Sequence, residues 1–244
     1  PLLRGKSGKR VLFSIYDPST KERWDEVIEP ISKGTMNELL YRRGVKQRAA
    51  DVDRLSGGRL GYVHISSMDD PSFRSVYADI LGKYNDREGI VIDTRFNGGG
   101  RLHEDIEILF SGKKYFTQVV RGREACDMPS RRWNKPSIMV TCEANYSNAH
   151  GTPWVYQHQG IGKVVGMPVP GTMTSVSWET LQDPTLYFGI PIVGYRLPDG
   201  SYLENKQLEP DVKIANSPEK IIKGEDEQLE TAVKELLKEI DSKK

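Results

Sequence analysis

The chain has 244 residues, of which 37% are hydrophobic and 28% charged, and its formal net charge is +1. The chain therefore lacks the excess of positive charge that is typical of proteins that bind nucleic acid. No apolar run reaches the roughly 18 residues that a membrane-spanning helix needs. The two cysteines, Cys126 and Cys142, are too few for a disulfide framework or a zinc ribbon, so we expect no metal site.

The first 32 residues predict two β-strands. Arg10–Tyr16 is rich in β-forming residues, Asp17–Thr20 is a turn signal, and Trp24–Ile31 is a second extended run. Because a lone hairpin is only marginally stable in water, we expect this piece to be the tail of a larger domain. Residues 33–56 follow as a charged linker with helical spacing over Met36–Leu55.

From residue 57 to residue 244 the chain alternates strand and helix patterns, which predicts an α/β layered domain. Gly89–Thr94 and Ile138–Cys142 are almost wholly apolar, as expected of strands covered on both faces. Glu225–Ile240 spaces its apolar residues as an amphipathic helix does. The other predicted strands are Leu60–Ile65, Tyr115–Val120, Lys163–Gly166, Ser175–Trp178, Phe188–Tyr195 and Val212–Ile214, and the other predicted helices are Pro71–Tyr84, Leu102–Phe110 and Ser147–Gln159.

A run of three glycines closes the segment Asp93–Gly100, between a buried strand and a helix. Glycines let the backbone approach a ligand closely, and the first amides of a helix lack internal partners, so such a turn suits an anion or an oxyanion. The segment lacks both the dinucleotide fingerprint and the phosphate-loop ending, so we expect no nucleotide cofactor. A turn that merely connects strand and helix remains the alternative.

Ser147 lies between the next buried strand and its helix. On spacing alone a helix cap is the commoner role for such a serine. Alternatively, Ser147 is a nucleophile at the carboxyl edge of the sheet, where α/β sites gather, with the Asn148 amide directed at a developing oxyanion.

A nucleophilic serine needs a base within hydrogen-bond reach. His150 lies three residues after Ser147, but a base in that helical register tends to cover the nucleophile, and Lys163 is the weaker alternative. The remaining three histidines fit structural roles: His64 lies in a strand, His103 at a helix start and His158 near a helix end.

The segment Tyr202–Asp211 places several carboxylates near asparagine and proline, as solvated loops commonly do. Glu204 in this segment could instead orient a histidine, which is the task of the third group in a catalytic triad. The residues alone leave both interpretations open.

Taken in chain order, these segments resemble the tricorn-type branch of the carboxy-terminal-processing serine peptidases. The resemblance extends over essentially the whole chain and rests on several motifs, which are Leu3–Gly8, Gly57–Ile65, Asp93–Gly100, Gly162–Gly166, Leu203–Asp211 and Gly224–Glu230. It implies a ClpP/crotonase-like core of stacked β-β-α units in residues 57–244. It also implies that residues 1–32 are the remnant of a PDZ domain, joined to the core by the helical linker 33–56.

The resemblance further implies the roles of individual residues. Ser147 is the nucleophile, Gly98, Gly99 and Asn148 form the oxyanion hole with their amides, and Glu204 belongs to a Ser-His-Ser-Glu tetrad. In that branch the histidine precedes the PDZ domain, and no segment here matches it. The general base is therefore expected from upstream residues or a neighbouring subunit, and this chain alone is expected to be nearly inactive.

Two comparisons with the family's patterns bear on these roles. The residue after the nucleophile is commonly acidic in the tricorn type, so Asn148 leaves any charge-based substrate preference open. The other branch uses a lysine base roughly 25 residues after the serine. Here that distance reaches Thr172, which disfavours a Ser–Lys mechanism.

The sequence thus predicts a serine endopeptidase that cleaves peptides or unfolded polypeptides through an acyl-enzyme at Ser147. It is expected to act as a homo-oligomer or together with the upstream half of the same polypeptide. One alternative is a non-catalytic peptide-binding or assembly module of the same fold. Another is a crotonase-like acyl-transfer enzyme, although no basic cluster suited to coenzyme A is evident. The residues do not assign a cellular compartment.

Overall fold

The computed structural model describes residues 3–243, and the chain divides into two compact units, the first ending at Gln47 and the second beginning at Arg48. In the first unit, strand β1 (Val11–Tyr16) pairs antiparallel with strand β2 (Arg23–Ile28), so the predicted hairpin is present. Helix α1 spans Lys33–Ser56 and therefore begins in the first unit and ends in the second.

A five-stranded parallel sheet forms the centre of the second unit. Its strands in spatial order are β11 (Val212–Lys213), β8 (Val164–Gly166), β7 (Ser137–Thr141), β4 (Gly89–Asp93) and β3 (Leu60–His64). Every residue of β4 and β7 is buried, which is the burial that their nearly continuous apolar sequence predicts. The expected α/β class is therefore confirmed.

Helices pack against this sheet and contribute residues to its apolar core. Helix α2 (Asp70–Ala78) continues into a π-helical turn (Asp79–Lys83), so the predicted single helix ends in a wider turn. Helix α3 (His103–Phe110) follows strand β4, and helix α4 (Asn148–His158) connects strand β7 to strand β8. The chain ends with the short helix α5 (Pro218–Ile221) and the amphipathic helix α6 (Glu227–Ser242).

Two antiparallel hairpins stand outside the main sheet. One pairs β5 (Phe116–Val120) with β6 (Arg123–Met128), and the other pairs β9 (Ser175–Thr180) with β10 (Tyr187–Val193). Strand β6 carries several charged residues, which is why its sequence gave no strand signal. Within residues 3–243, no helix combines the length and apolarity that crossing a membrane requires. Both cysteines are free thiols.

Candidate active site

Ser147 occupies a sharp turn between strand β7 and helix α4. Its backbone has φ 54° and ψ −123°, a conformation that glycine usually supplies at the first central position of a type II′ turn. Strained backbone of this kind costs roughly 1–3 kcal/mol and clusters at functional sites. Ser147 stands at the N-cap position of helix α4, but its side chain makes no capping hydrogen bond to the helix, so the hydroxyl is not used as a cap.

The glycine turn after strand β4 lies directly against Ser147. A Cβ atom added to Gly99, whose φ is +97°, would lie 2.6 Å from the Ser147 Cβ and 2.8 Å from the Tyr146 carbonyl oxygen. Both distances are far too short for real contacts, so only glycine fits at this position. The structure thus brings together the two turns that the sequence singled out.

The two turns are joined by hydrogen bonds on both sides of the glycines. On one side the Tyr146 N–H donates to the Asn97 carbonyl oxygen at 3.0 Å. On the other side the Asn148 Oδ1 accepts the backbone N–H groups of Leu102, at 2.8 Å, and His103, at 3.1 Å. These bonds fix the distance between the glycine turn and the serine turn.

The backbone amides predicted for an oxyanion hole differ in their hydrogen bonding. The Gly99 N–H already donates to the Asn97 Oδ1 at 2.8 Å. Within the described residues, the N–H groups of Gly98 and Asn148 have no acceptor. Both amides are thus free to donate to a ligand next to Ser147.

Glu204 and Ser147 are linked through the loop that precedes strand β9. The Thr172 Oγ1 accepts the Ser147 N–H at 3.0 Å. Two residues later, the Thr174 N–H and hydroxyl both donate to the Glu204 Oε2, at 2.7 and 2.8 Å. Among the described residues the Glu204 Oε1 accepts no hydrogen bond, which leaves one carboxylate oxygen for another donor.

The candidate bases inside the chain are a buried histidine and a lysine that is paired with a carboxylate. His150 is fully buried, its Nδ1 accepts the Thr172 N–H at 3.4 Å, and its Nε2 has no partner among the described residues. Burial lowers the pKa of His150, against the opposing effect of Glu204. Lys163 pairs with Glu235 of helix α6 at 2.7 Å. Within residues 3–243, neither side chain hydrogen-bonds the Ser147 hydroxyl.

The other three histidines are also placed by the structure. His64 contacts the Arg95 carbonyl oxygen at 3.2 Å, and the exposed His158 stacks on Trp154 with 4.5 Å between ring centroids. His103 begins helix α3 and contacts Asn148, so it borders the serine turn without reaching the hydroxyl.

A buried ion network beneath the glycine turn was not predicted from the sequence. The Arg95 guanidinium contacts Asp93 at 2.6 Å and Asp226, the N-cap of helix α6, at 2.8 Å, and the Tyr62 hydroxyl donates to Asp93. Burial would raise the pKa of the Asp93 carboxyl, but the charge and hydrogen bonds of Arg95 hold that pKa below 3.8. The network ties the last helix to the residues that lead into the glycine turn.

Comparison with known proteins adds to this geometry. The profile of Peptidase family S41 matches residues 59–214, well over half of the chain. Tricorn protease homolog 1 of Streptomyces coelicolor is 29% identical over 238 residues, which are 96% of this chain and 22% of that protein. A tricorn protease of Thermoplasma volcanium is 27% identical over 248 aligned positions, covering 99% of this chain and 23% of that protein.

Among solved structures, the crystal structure of the tricorn protease superposes with a TM-score of 0.83 at 22% identity. The match covers 98% of this chain and 23% of that chain, and at this identity it shows the fold alone. The chain therefore spans about a quarter of the length of these tricorn proteins.

Proposed function

Because the chain belongs to peptidase family S41, we propose that it carries the nucleophile of a serine endopeptidase, with Ser147 as the attacking residue. The observation that carries this proposal is the positive φ of Ser147 beside a glycine that no larger residue can replace. A strained serine between a strand and a helix, facing a glycine-rich turn, suits a nucleophile, and its side chain makes no capping hydrogen bond to the helix.

The reaction proceeds in two stages. The Ser147 Oγ attacks the carbonyl carbon of the scissile bond, its proton passes to a general base, and the carbonyl oxygen becomes an oxyanion. The free amides of Gly98 and Asn148 donate to that oxygen. The C–N bond then breaks, the base returns the proton to the departing amine, and water hydrolyses the acyl-enzyme by the reverse sequence of proton transfers.

The general base is a histidine supplied by a segment upstream of this chain or by a neighbouring subunit. Two observations support this part of the proposal: no imidazole among the described residues contacts the Ser147 hydroxyl, and the Glu204 Oε1 accepts no hydrogen bond there. Glu204 orients the incoming imidazole, and Thr174 holds Glu204 in place through its two bonds to Oε2.

The finer architecture is part of the same proposal. Residues 57–244 form a ClpP/crotonase-like catalytic subdomain, residues 1–32 are the last strands of a PDZ domain, and residues 33–56 link the two. The substrate is an extended peptide or unfolded polypeptide that pairs with a strand edge through main-chain hydrogen bonds. The active protein is a homo-oligomer or includes the upstream half of the polypeptide.

The test is substitution of Ser147 by alanine in the full-length protein, followed by measurement of peptide turnover and of labelling by a fluorophosphonate. We expect turnover to fall at least about a thousandfold, as deletion of a nucleophile does, and labelling to disappear. Ser242→Ala, at an exposed hydroxyl of helix α6, is the matched control and should keep both. Turnover retained by the Ser147→Ala protein would remove Ser147 from the role.

A non-catalytic peptide-binding or assembly module is the second candidate, because no base contacts the Ser147 hydroxyl within the described residues. A folded full-length protein whose Ser147 resists labelling would favour that candidate. The isolated 244-residue chain discriminates further, since we expect it to be nearly inactive. Robust hydrolysis by that chain would mean that the general base lies within it, with His150 and Lys163 as the candidates.

A further inference from the structure

The Asn148 side chain is almost fully buried, and both of its polar atoms are bound to the start of helix α3. Its Oδ1 accepts the backbone N–H groups of Leu102 and His103, which are two of the unpartnered amides at a helix start. Asn148 thus caps helix α3 from another element, in place of Leu102, the N-cap residue, whose own side chain makes no such bond.

These bonds determine the protonation state of the neighbouring His103 imidazole. Because two N–H donors face the Asn148 Oδ1, the amide orientation is fixed, and its Nδ2 is the donor towards the His103 Nδ1 at 2.8 Å. The His103 Nδ1 therefore accepts a hydrogen bond and carries no proton. The ring is neutral, with its proton on Nε2.

Resting on the proposed function, we propose that His103 is a positioning residue that, as a neutral imidazole, accepts a hydrogen bond from Asn148 and so holds the glycine turn against the nucleophile turn. Asn148 contributes its backbone amide to the oxyanion site and its side chain to this link. The Asn148 side chain is thus committed to the start of helix α3.

Protonation of His103 would break the link, because an imidazolium directs an N–H from Nδ1 at the Asn148 amide donor. Burial lowers the pKa of His103 below 6.5, which favours the neutral ring, while Glu104 and Asp105 raise it and Arg101 lowers it. From outside its own helix the ring meets the Asn148 amide and, edge to face at 6.1 Å, the ring of Tyr195. We therefore expect the link to open at acid pH.

The first arm of the test measures the imidazole directly, by nitrogen-edited NMR of the 244-residue chain. We expect the His103 proton on Nε2 and a titration midpoint below 6.5. In an Asn148→Asp variant the new carboxylate accepts an N–H from the Nδ1 of protonated His103, so the midpoint should move above 6.5. Asn205→Asp, which adds the same charge on an exposed loop, should leave the midpoint below 6.5.

The second arm measures labelling of Ser147 by a fluorophosphonate in the full-length protein between pH 5 and pH 8. His103→Leu removes the acceptor and should slow labelling about three- to tenfold at every pH. His103→Asn keeps a non-titrating acceptor where Nδ1 lies, so it should restore labelling relative to His103→Leu and decline less towards acid pH than the unmodified protein. Restoration by the acceptor is an outcome that a purely space-filling role would not produce.

The two arms separate the failure of this inference from the failure of the proposed function. A His103 that carries its proton on Nδ1 at neutral pH, or that titrates above 6.5 in the unmodified chain, overturns the link whatever the labelling shows. Equal labelling of the leucine and asparagine variants also overturns it. If the unmodified full-length protein is not labelled at all, the proposed function fails, and the NMR measurement still decides the state of His103.

Discussion

The parallel sheet and the β9–β10 hairpin differ in what surrounds them, although both consist largely of apolar residues. Strands β4 and β7 have every residue buried, and each ends in one of the two turns that form the candidate site. In the hairpin, Trp178 and Tyr187 pack edge to face at 5.4 Å yet are 65% and 67% exposed. The sheet thus holds its residues in fixed positions, whereas the hairpin presents an apolar surface to its surroundings.

This difference shows which part of the second unit holds its residues in fixed positions. The glycine turn and the serine turn each follow a buried strand that fixes their position. The strained backbone of Ser147 is therefore held in place by a rigid element. Residues of the hairpin have few such constraints, so their substitution should change stability little. Matched substitutions in the two regions test this contrast.

The largest effect is expected from Arg95→Met, which breaks the buried network below the glycine turn. Asp93 would keep a buried carboxylate without its cation, and Asp226 would lose its nearer cation while keeping Arg48 at 3.6 Å. Breaking a buried pair such as Arg95–Asp93 costs about 3–5 kcal/mol. Arg74→Met, at an exposed ion pair on helix α2, is the control and should leave the free energy of unfolding unchanged. Urea titration of both proteins measures the difference, and similar midpoints would contradict the contrast.

A second pair compares isoleucines in the two regions. Ile92 of strand β4 is fully buried and Ile192 of strand β10 is 65% exposed. Ile92→Ala should lower the free energy of unfolding by about 2–5 kcal/mol through lost burial and the cavity left behind. Ile192→Ala should change it by less than about 0.5 kcal/mol. A comparable loss from Ile192→Ala would mean that the hairpin is covered in solution.

The smallest effect concerns acid stability. Burial would raise the pKa of Asp226, but the hydrogen bonds and charge of Arg95 hold it below 3.8. A lowered carboxyl pKa contributes stability above pH 3.8 that is lost as the pH falls through the folded-state value. Asp226→Asn should therefore cost about 1.5–3 kcal/mol near neutral pH and progressively less below pH 4. Unfolding titrations between pH 2 and pH 7 measure this, and parallel curves for the two proteins would contradict it.

Much of the fold was predictable because the central strands are unambiguous in sequence. Gly89–Thr94 and Ile138–Cys142 are apolar runs bounded by turn residues, and both became buried strands. Strand β6 escaped prediction because it is charged and pairs only with its neighbour β5. The π-helical turn after helix α2 depends on tertiary packing that single-residue propensities do not encode.

The site was predictable in part. Turn residues after buried strands marked both Ser147 and the three glycines, and the structure places these turns in contact. The ion pair of Arg95 with Asp226 joins residues 131 positions apart, so no local pattern could reveal it. The bond between Asn148 and His103 likewise joins different helices, and spacing alone offered His103 only as a residue at a helix start.

The left-handed backbone of Ser147 also suggests a useful reagent. Alanine at this position would remove the hydroxyl but retain the unfavourable conformation, whereas glycine would remove both. A Ser147→Gly protein should consequently lack the nucleophile, and its backbone at position 147 should adopt the same dihedral angles without strain. Under the proposed function, such a protein could capture an intact polypeptide at the serine turn and so reveal which sequences bind there.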